Sequence, residues 1–436
     1  MIQSIFAGVS ALQSFQTGID VLANNISNVN TVGFKGSSTE FSNLFERNIA
    51  NSNPNSNVQA GLGVRVSATN LDLNTGSYTQ TDRNTDLAIN GDDGWFGLID
   101  GNSQEYFTRA GNFGYDAFGA GNEVKQRLVS GDGLFVLGTA TNNFNYNAAA
   151  AYSDAKPGAY ELTKDVENID LSSVTAQGPL ELPTRFVYPT SPTTSVSFLG
   201  NLGVEDTTRV MNSQIISPSG DKNNLKLTFS QTTPQPSTGI SWDIVAITST
   251  KDYNPTNGTG TLFDTQIGVA TFSDTGNILT QILPPLNNNG SALNVDLGTG
   301  FNGIISNNGP DTVYTSIQDG IAKGELTGYT FNSNGEIVAS FNNGKDSVVG
   351  RVGIYHFAND KGLEAVSGTK FRASLNSGKP TFYTTNNGTL RSNTLETSNV
   401  GLETALTELI IMQRSYDAGA KTITTADELL KNALQM

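Results

Sequence analysis

No cysteine occurs in the sequence, and histidine occurs once, as His356. The first absence excludes a disulfide frame, a thiolate nucleophile and a Cys-type zinc site. The second removes most imidazole acid–base and metal chemistry. Charge is scarce as well, at 15% of residues, and it leans acidic: 25 Lys and Arg stand against 40 Asp and Glu, for a net charge of -15. A nucleic-acid reader needs a basic face, and none is visible here. No run of 18 or more apolar residues exists, so no membrane insertion is expected. The opening MIQSIFAGVSALQSFQTGID carries no basic n-region, which argues against a cleaved secretory signal and leaves any export to an uncleaved one. G-x-S-x-G, H-E-x-x-H and P-loop patterns are missing too. A glycosidase-type carboxylate pair would need two residues singled out from the 40 acidic ones, and nothing singles them out. The chain is therefore expected to be no enzyme, with no catalytic residue, cofactor or metal.

What is present concentrates at the two ends. In the first thirty residues Ile2, Ile5, Val9, Leu12, Phe15, Ile19, Leu22, Ile26 and Val29 recur at spacings of 3 and 4, with one phase slip near Phe15. Gly33 follows as a stop signal. Near the other end Leu402, Leu406, Leu409, Gln413, Tyr416, Ala420, Ile423, Asp427, Leu430 and Leu434 alternate strictly at 4 and 3. Asn399 is placed to cap that helix, and Glu403 to meet its positive end. Neither helix buries its stripe alone, so the ends either form an antiparallel hairpin or bundle with other subunits. A lone two-helix hairpin is marginal in water, and stacking against copies of the chain is expected.

The middle has another texture. Runs such as LAI-NGDDG-WFGLI (87–99), GYTFNSNGEIVASF (328–341) and VVGRVGIYHF (348–357) alternate with period 2 and break at Asn-Gly, Asp-Gly and Ser-Gly signals. Residues 140–160 and 286–312 are polar and Gly/Asn-rich, which fits long loops or domain crossings. Residues 36–85 suit an extended linker. A chain of 436 residues holds two to four domains. The expected fold is mainly β with α-helical termini, two antiparallel β domains lying between helices that form a coiled-coil inner domain. The expected divisions are 1–32 with 396–436 (inner), 33–85 with 386–395 (linker or spoke), 86–145 with 322–385 (middle β) and 146–321 (outer β).

Several ordered stretches carry a family resemblance. ANNISNVNTVGFK (23–35), TDLAINGDDGWFGLIDG (85–101), YFTRAGNFGYDAFG (106–119), FANDKGLEAVSGTKFRASLNSGKP (357–380) and LETSNVGLETALTELIIMQRSYDAGAKTITTADELL (395–430) resemble bacterial flagellar axial proteins, the rod and hook subunits. Residues 141–321 interrupt these matches, and ELPTRFVYPTSPTTSVSFLGNLGVED (181–206) within them is similar to hook subunits. The resemblance implies a structural subunit that polymerises into a flexible extracellular tube passing motor torque to the filament. It implies as partners the chain itself, the rod, hook-cap and hook–filament junction proteins, and a type III export apparatus. A distal rod subunit or hook-like paralogue is the alternative, and a secreted adhesin or glycan-active protein a remote one. Gly401, Gly419 and Asp360 depart from the family pattern.

The residues expected at the assembly interface are Ile5, Val9, Leu12, Phe15, Ile19, Leu22, Asn24, Asn25, Ile26 and Asn28 in the first helix. In the last they are Leu402, Leu406, Leu409, Gln413, Arg414, Tyr416, Ile423, Leu430 and Leu434. Asn24 and Asn28 point away from the Leu22, Ile26, Val29 arc, as uncharged contacts for a neighbouring subunit. Arg109 is expected to fix a turn. Asp92 and Asp93 read as a hairpin turn rather than calcium ligands, since the spacing and distal Glu of a calcium loop are missing. His356 reads as a structural strand residue.

Overall fold

The computed structural model describes residues 2–48, 59–121, 123–141, 144–150, 158–163, 177–205, 207–309, 313–382 and 390–435. Within these a helix stands at each end, α1 (Ile2–Ser27) and α2 (Leu402–Gln435), and nearly all other regular structure is strand. At 1.5 Å per residue the helices are about 39 and 51 Å long. They run antiparallel within one chain: Gly8 faces Gly419 and Ile423, while Gly18 faces Met412. None of the described helices is long and apolar enough to cross a membrane.

The seam between them is a heptad frame shifted from the one the large apolar residues suggest. Ala405, Leu409, Met412, Tyr416, Gly419, Ile423, Ala426 and Leu430 form a stripe of buried and half-buried positions along α2, at strict 4,3 spacing. Leu402, Leu406 and Gln413 stay exposed. Small residues explain the shift. A β-carbon on Gly8 would lie 2.7 Å from Ile423 Cγ1, and one on Gly419 would lie 3.4 Å from Leu12 Cδ2. Gly419, a departure that costs helix propensity, is thus a notch through which the backbones approach.

The 36–85 segment is not an extended linker throughout. Ser37–Asn43 pairs antiparallel with Val64–Leu71, and Glu46–Asn48 with Gln59–Gly61, so much of it is a two-stranded hairpin. Val64, Val66, Ala68 and Asn70 alternate with exposed Arg65, Ser67 and Thr69, and the ribbon packs on α1. Phe15 meets Phe41 with ring centres 5.9 Å apart. Polar composition hid a period-2 alternation whose inward residues are merely small.

Beyond the ribbon lies a closed, barrel-like array of strands from Trp95–Ile99 to Phe186–Tyr188 and from Gly324–Phe331 to Thr381–Phe382. Its interior holds Phe96, Phe113, Leu128, Phe186 and Ile337. A separate sandwich spans 195–318. Its five-stranded sheet orders Thr208–Ile216, Lys222–Gln231, Ile240–Thr250, Leu262–Phe272 and Ile278–Ile282 in sequence. Its second sheet centres on Ser195–Asn201, flanked by Ser291–Asp296, Asn302–Ile305 and Thr315–Gln318. Much of the polar 286–312 stretch, expected as loop, is therefore strand, with Asn289-Gly290 at positive φ (50° and 100°) closing a hairpin. In 140–160, Phe144–Asn147 pairs with Ala159–Leu162; residues 142, 143 and 151–157, like 386–389 of the expected spoke, lie outside the described residues. Antiparallel pairing dominates, but Ser195–Asn201 runs parallel to two partners and Ala159–Leu162 to one.

Trp242 is the sandwich's largest core residue, fully buried, its Nε1 donating to Ser306 Oγ at 3.1 Å across the two sheets. Trp242→Ala is expected to destabilise the sandwich by about 3–5 kcal/mol. Calorimetry of the full chain should show one early transition, with the barrel, followed through Trp95 fluorescence, melting as before.

Candidate functional site

The short motifs scattered over the sequence meet at one place, the root of the helical hairpin. α1 ends at Ser27, and the chain turns through Thr31 to Gly33, whose φ of 66° only glycine adopts freely. A β-carbon there would lie 2.3 Å from the Ala110 nitrogen, so the backbone of TVGFK lies directly on that of TRAG. The Gly33 N–H donates to Glu396 O at 2.8 Å. Two residues on, Lys35 turns inward.

Glu396 is the keystone. Lys35 Nζ donates to its Oε1 at 2.7 Å and Arg109 Nη1 to its Oε2 at 3.4 Å, and all three side chains are at most 1% exposed. The Gly76 N–H adds a third bond, to Oε1, at 3.0 Å. Lys35 Nζ also donates to Asn74 O at 2.8 Å, and Arg109 Nη1 to Gly91 O at 2.9 Å, with Nη2 reaching Asp92 O. Burial pulls the Lys35 ammonium below its ordinary value, and the Glu396 carboxylate works against that pull. Such a triad survives burial because every charge has both a counter-charge and carbonyl or amide partners.

This explains NGDDG. Leu87–Ile89 pairs with Leu390–Ser392, whereas Trp95–Ile99 pairs with Glu105–Thr108, Phe135–Val136 and Ile354–Tyr355. The loop is a turn, as expected, but no hairpin closes over it. Gly91 and Gly94, both at φ 102°, aim its carbonyls at Arg109. The Asp92 carboxyl accepts from Thr75 N at 2.8 Å, and the hydrogen bonds from Thr75 hold it below the usual carboxylate range. Trp95 Nε1 donates to Asp360 Oδ1 at 3.0 Å, which gives that departure from the family pattern a partner.

Two asparagines complete the root. Asn25 is buried, and its amide both donates to Ser37 O (2.7 Å) and accepts from Ser37 N (3.0 Å), as a backbone strand would. Asn399 does not cap α2, which starts three residues later at Leu402. Its Oδ1 accepts from Gly36 N, and its Nδ2 donates to Asp72 O and Asn74 O. It fastens the ribbon to the approach of the C-terminal helix instead.

The expected interface residues divide into three groups. Leu22 and Asn25 are buried inside the chain, while Ile5, Leu12, Phe15, Ile19, Ile26, Asn28, Leu409, Tyr416, Ile423 and Leu430 are half-buried. Val9, Asn24, Leu402, Leu406, Gln413, Arg414 and Leu434 are exposed. Asn28 Nδ2 donates to Asn24 O and Oδ1, closing the helix end on itself. His356 lies on the strand Ile354–His356. Sequence reasoning singled out Arg109 but passed over Lys35 and Glu396. Their signal was a charged residue inside each of two otherwise uncharged motifs, GFK and LETSNV.

A hairpin made of both chain ends, rooted by a buried triad on a β body, is the arrangement expected from the resemblance to flagellar axial proteins. The sequence comparisons agree with that class: the model "Flagella basal body rod protein" matches residues 5–35, and "Flagellar basal body rod FlgEFG protein C-terminal" matches 391–436. The "Flagellar hook protein FlgE" of Salmonella typhimurium is 27% identical over 99% of this chain and 100% of its own length. Those of Escherichia coli (28%, 98% of each) and Treponema pallidum (29%, 100% of each) are similar throughout. A crystal structure of Helicobacter pylori flagellar hook protein FlgE2 superposes with a TM-score of 0.48 at 15% identity, covering 73% of this chain and 99% of that one. Over its full length the chain is similar to flagellar hook proteins, and these relatives support a structural subunit of the bacterial flagellar hook.

Proposed function

We propose that the protein polymerises into a flexible extracellular tube that carries motor torque to the filament. The terminal hairpins form the inner wall, the ribbon and triad form a rigid root, and the barrel and sandwich form outer layers. One observation carries this reading: apolar residues of the hairpin that the chain itself does not cover. Leu402, Leu406 and Ile410 fall within roughly 80° of arc beside the seam, and are 46%, 43% and 52% exposed. Phe6 and Val9 are exposed on α1. A water-facing helix carries polar residues there, so these suit the helices of neighbouring subunits. Rod, hook-cap and junction proteins at the tube's two ends, and delivery by a type III export apparatus, go with this reading. So do the expected divisions, with residues 1–32 and 396–436 innermost.

Electron microscopy of the assembled protein tests it. Curved, supercoiling tubes are the expected result. Short straight cylinders would assign the chain to the rod, and no polymer at all would overturn the proposal. The hairpin's limited burial gives a second expectation. Amide protons in 2–27 and 402–435 should exchange quickly in monomers and at least a hundredfold more slowly in polymers, where neighbours cover them. Strong protection already in the monomer would contradict it.

A further inference from the structure

The outer sandwich exposes apolar side chains on both of its outward faces. On the five-stranded sheet, cross-strand register places Val245 beside Ile267 and Val269 beside Ile282, with Ile247 adjacent. Ile267 and Ile282 are 71% and 69% exposed. Strand parity rules out their belonging to the core, since Gly268, Ala270 and Phe272 point inward. On the opposite sheet Ile317 sits across from Ser197, with Leu199 one pleat further along, and they are 62% and 42% exposed. Both patches carry charge, of opposite sign. Lys222 and Lys226 lie on outward positions of the first face, alongside a single acid, Asp243. Asp296 lies in the same row as Ser197 and Ile317 on the second.

We propose that these two faces dock on one another between copies, head to tail. The inference rests on the polymer reading and specifies an outer contact within it. Equivalent subunits in an open helical assembly need heterologous contacts, in which one patch meets a different patch. A two-fold pairing of like faces closes after two copies, and here would bring Lys222 and Lys226 of both onto one interface. Pairing of unlike faces covers both apolar patches, sets lysine against aspartate, and leaves a growing row with one free face of each kind, one at either end. Its uncharged hydrogen-bonding groups are Ser, Thr, Asn and Gln side chains such as Ser197, Thr228, Asn212 and Asn294. The contact suits an outer layer that must shift as the tube bends.

The absence of cysteine makes the test clean. Subunits carrying Ile267→Cys and subunits carrying Ile317→Cys are assembled together and treated with a short bis-maleimide. Cross-linked dimers are expected from the mixture, long ladders from a chain carrying both changes, and neither from Ile267→Cys alone. Dimers from Ile267→Cys alone would replace the head-to-tail contact by a two-fold one. Tubes that form normally yet yield no cross-link in the mixture would overturn the docking and leave the polymer reading standing. Failure of the unsubstituted protein to form tubes would overturn both. An Ile267→Lys, Ile282→Lys chain should still form tubes, but straighter or more easily sheared ones; wild-type curvature and shear resistance would count against the contact.

Discussion

Glu396→Gln is expected to be the most damaging single change at the hairpin root, costing about 3–5 kcal/mol. The substitution keeps shape and one carbonyl oxygen, so packing is not the cause. It removes the carboxylate that contacts two cations, Lys35 and Arg109, both 1% exposed. Lys35, already pulled down by burial, would shed its proton more easily once the opposing carboxylate is gone. Arg109 has no such escape and would keep an uncompensated charge beside Trp95, 5.6 Å from the ring centre. The damage should be local: hydrogen exchange of residues 33–36, 72–76 and 394–400 should accelerate by two orders of magnitude or more, while the sandwich at 195–318 stays protected. A control separates charge from fit. Lys35→Met, Arg109→Leu and Glu396→Leu together should recover much of the loss, because the penalty lies in the unpaired charge rather than in the missing bonds. Equal instability of the triple variant would place the effect in packing instead.

The root also shows how far the sequence can be read. The helices, their antiparallel option and the β-rich middle followed from periodicity, because 3,4 and period-2 spacings are geometric consequences of the two structures. What periodicity misjudged was burial by small residues. Gly8, Gly18, Ala405, Gly419 and Ala426 line the hairpin's seam, yet a hydrophobic stripe drawn from Leu, Ile and Phe runs past them. The same bias turned Val64–Leu71 into linker and 286–312 into loop. The triad was illegible for a different reason. Lys35, Arg109 and Glu396 are far apart in sequence, and no local rule says which 3 of 65 charged residues converge. Only the resemblance brought their motifs onto one page, and it could not say that they touch. Asn25 and Asn399 belong to the same lesson. An amide that copies backbone hydrogen bonding is indistinguishable, in sequence, from one that caps a helix or faces a neighbour.

Leu409→Asp and Ile410→Asp are expected to impair assembly equally and for opposite reasons. Leu409 lies on the seam with α1, half-buried within the chain, whereas Ile410, one residue and 100° further round, is 52% exposed. An aspartate at 409 puts a charge between the paired helices, so the hairpin itself should open, with far-UV helical signal falling in the monomer. An aspartate at 410 faces water in the monomer and should leave helicity and melting unchanged. It becomes costly only when another subunit covers it, where an unpaired carboxylate loses its solvation. Both should raise the concentration needed for polymerisation at least tenfold, and in neither case should the β-sandwich or barrel unfold. The pair therefore separates the two jobs of α2, holding α1 and meeting its neighbours. Normal tubes from Ile410→Asp would move the inter-subunit contact elsewhere on the hairpin, to the side that carries Phe6 and Val9. Normal tubes from Leu409→Asp would show that polymers do not need the intramolecular hairpin at all, and that each helix finds its partner only in the wall.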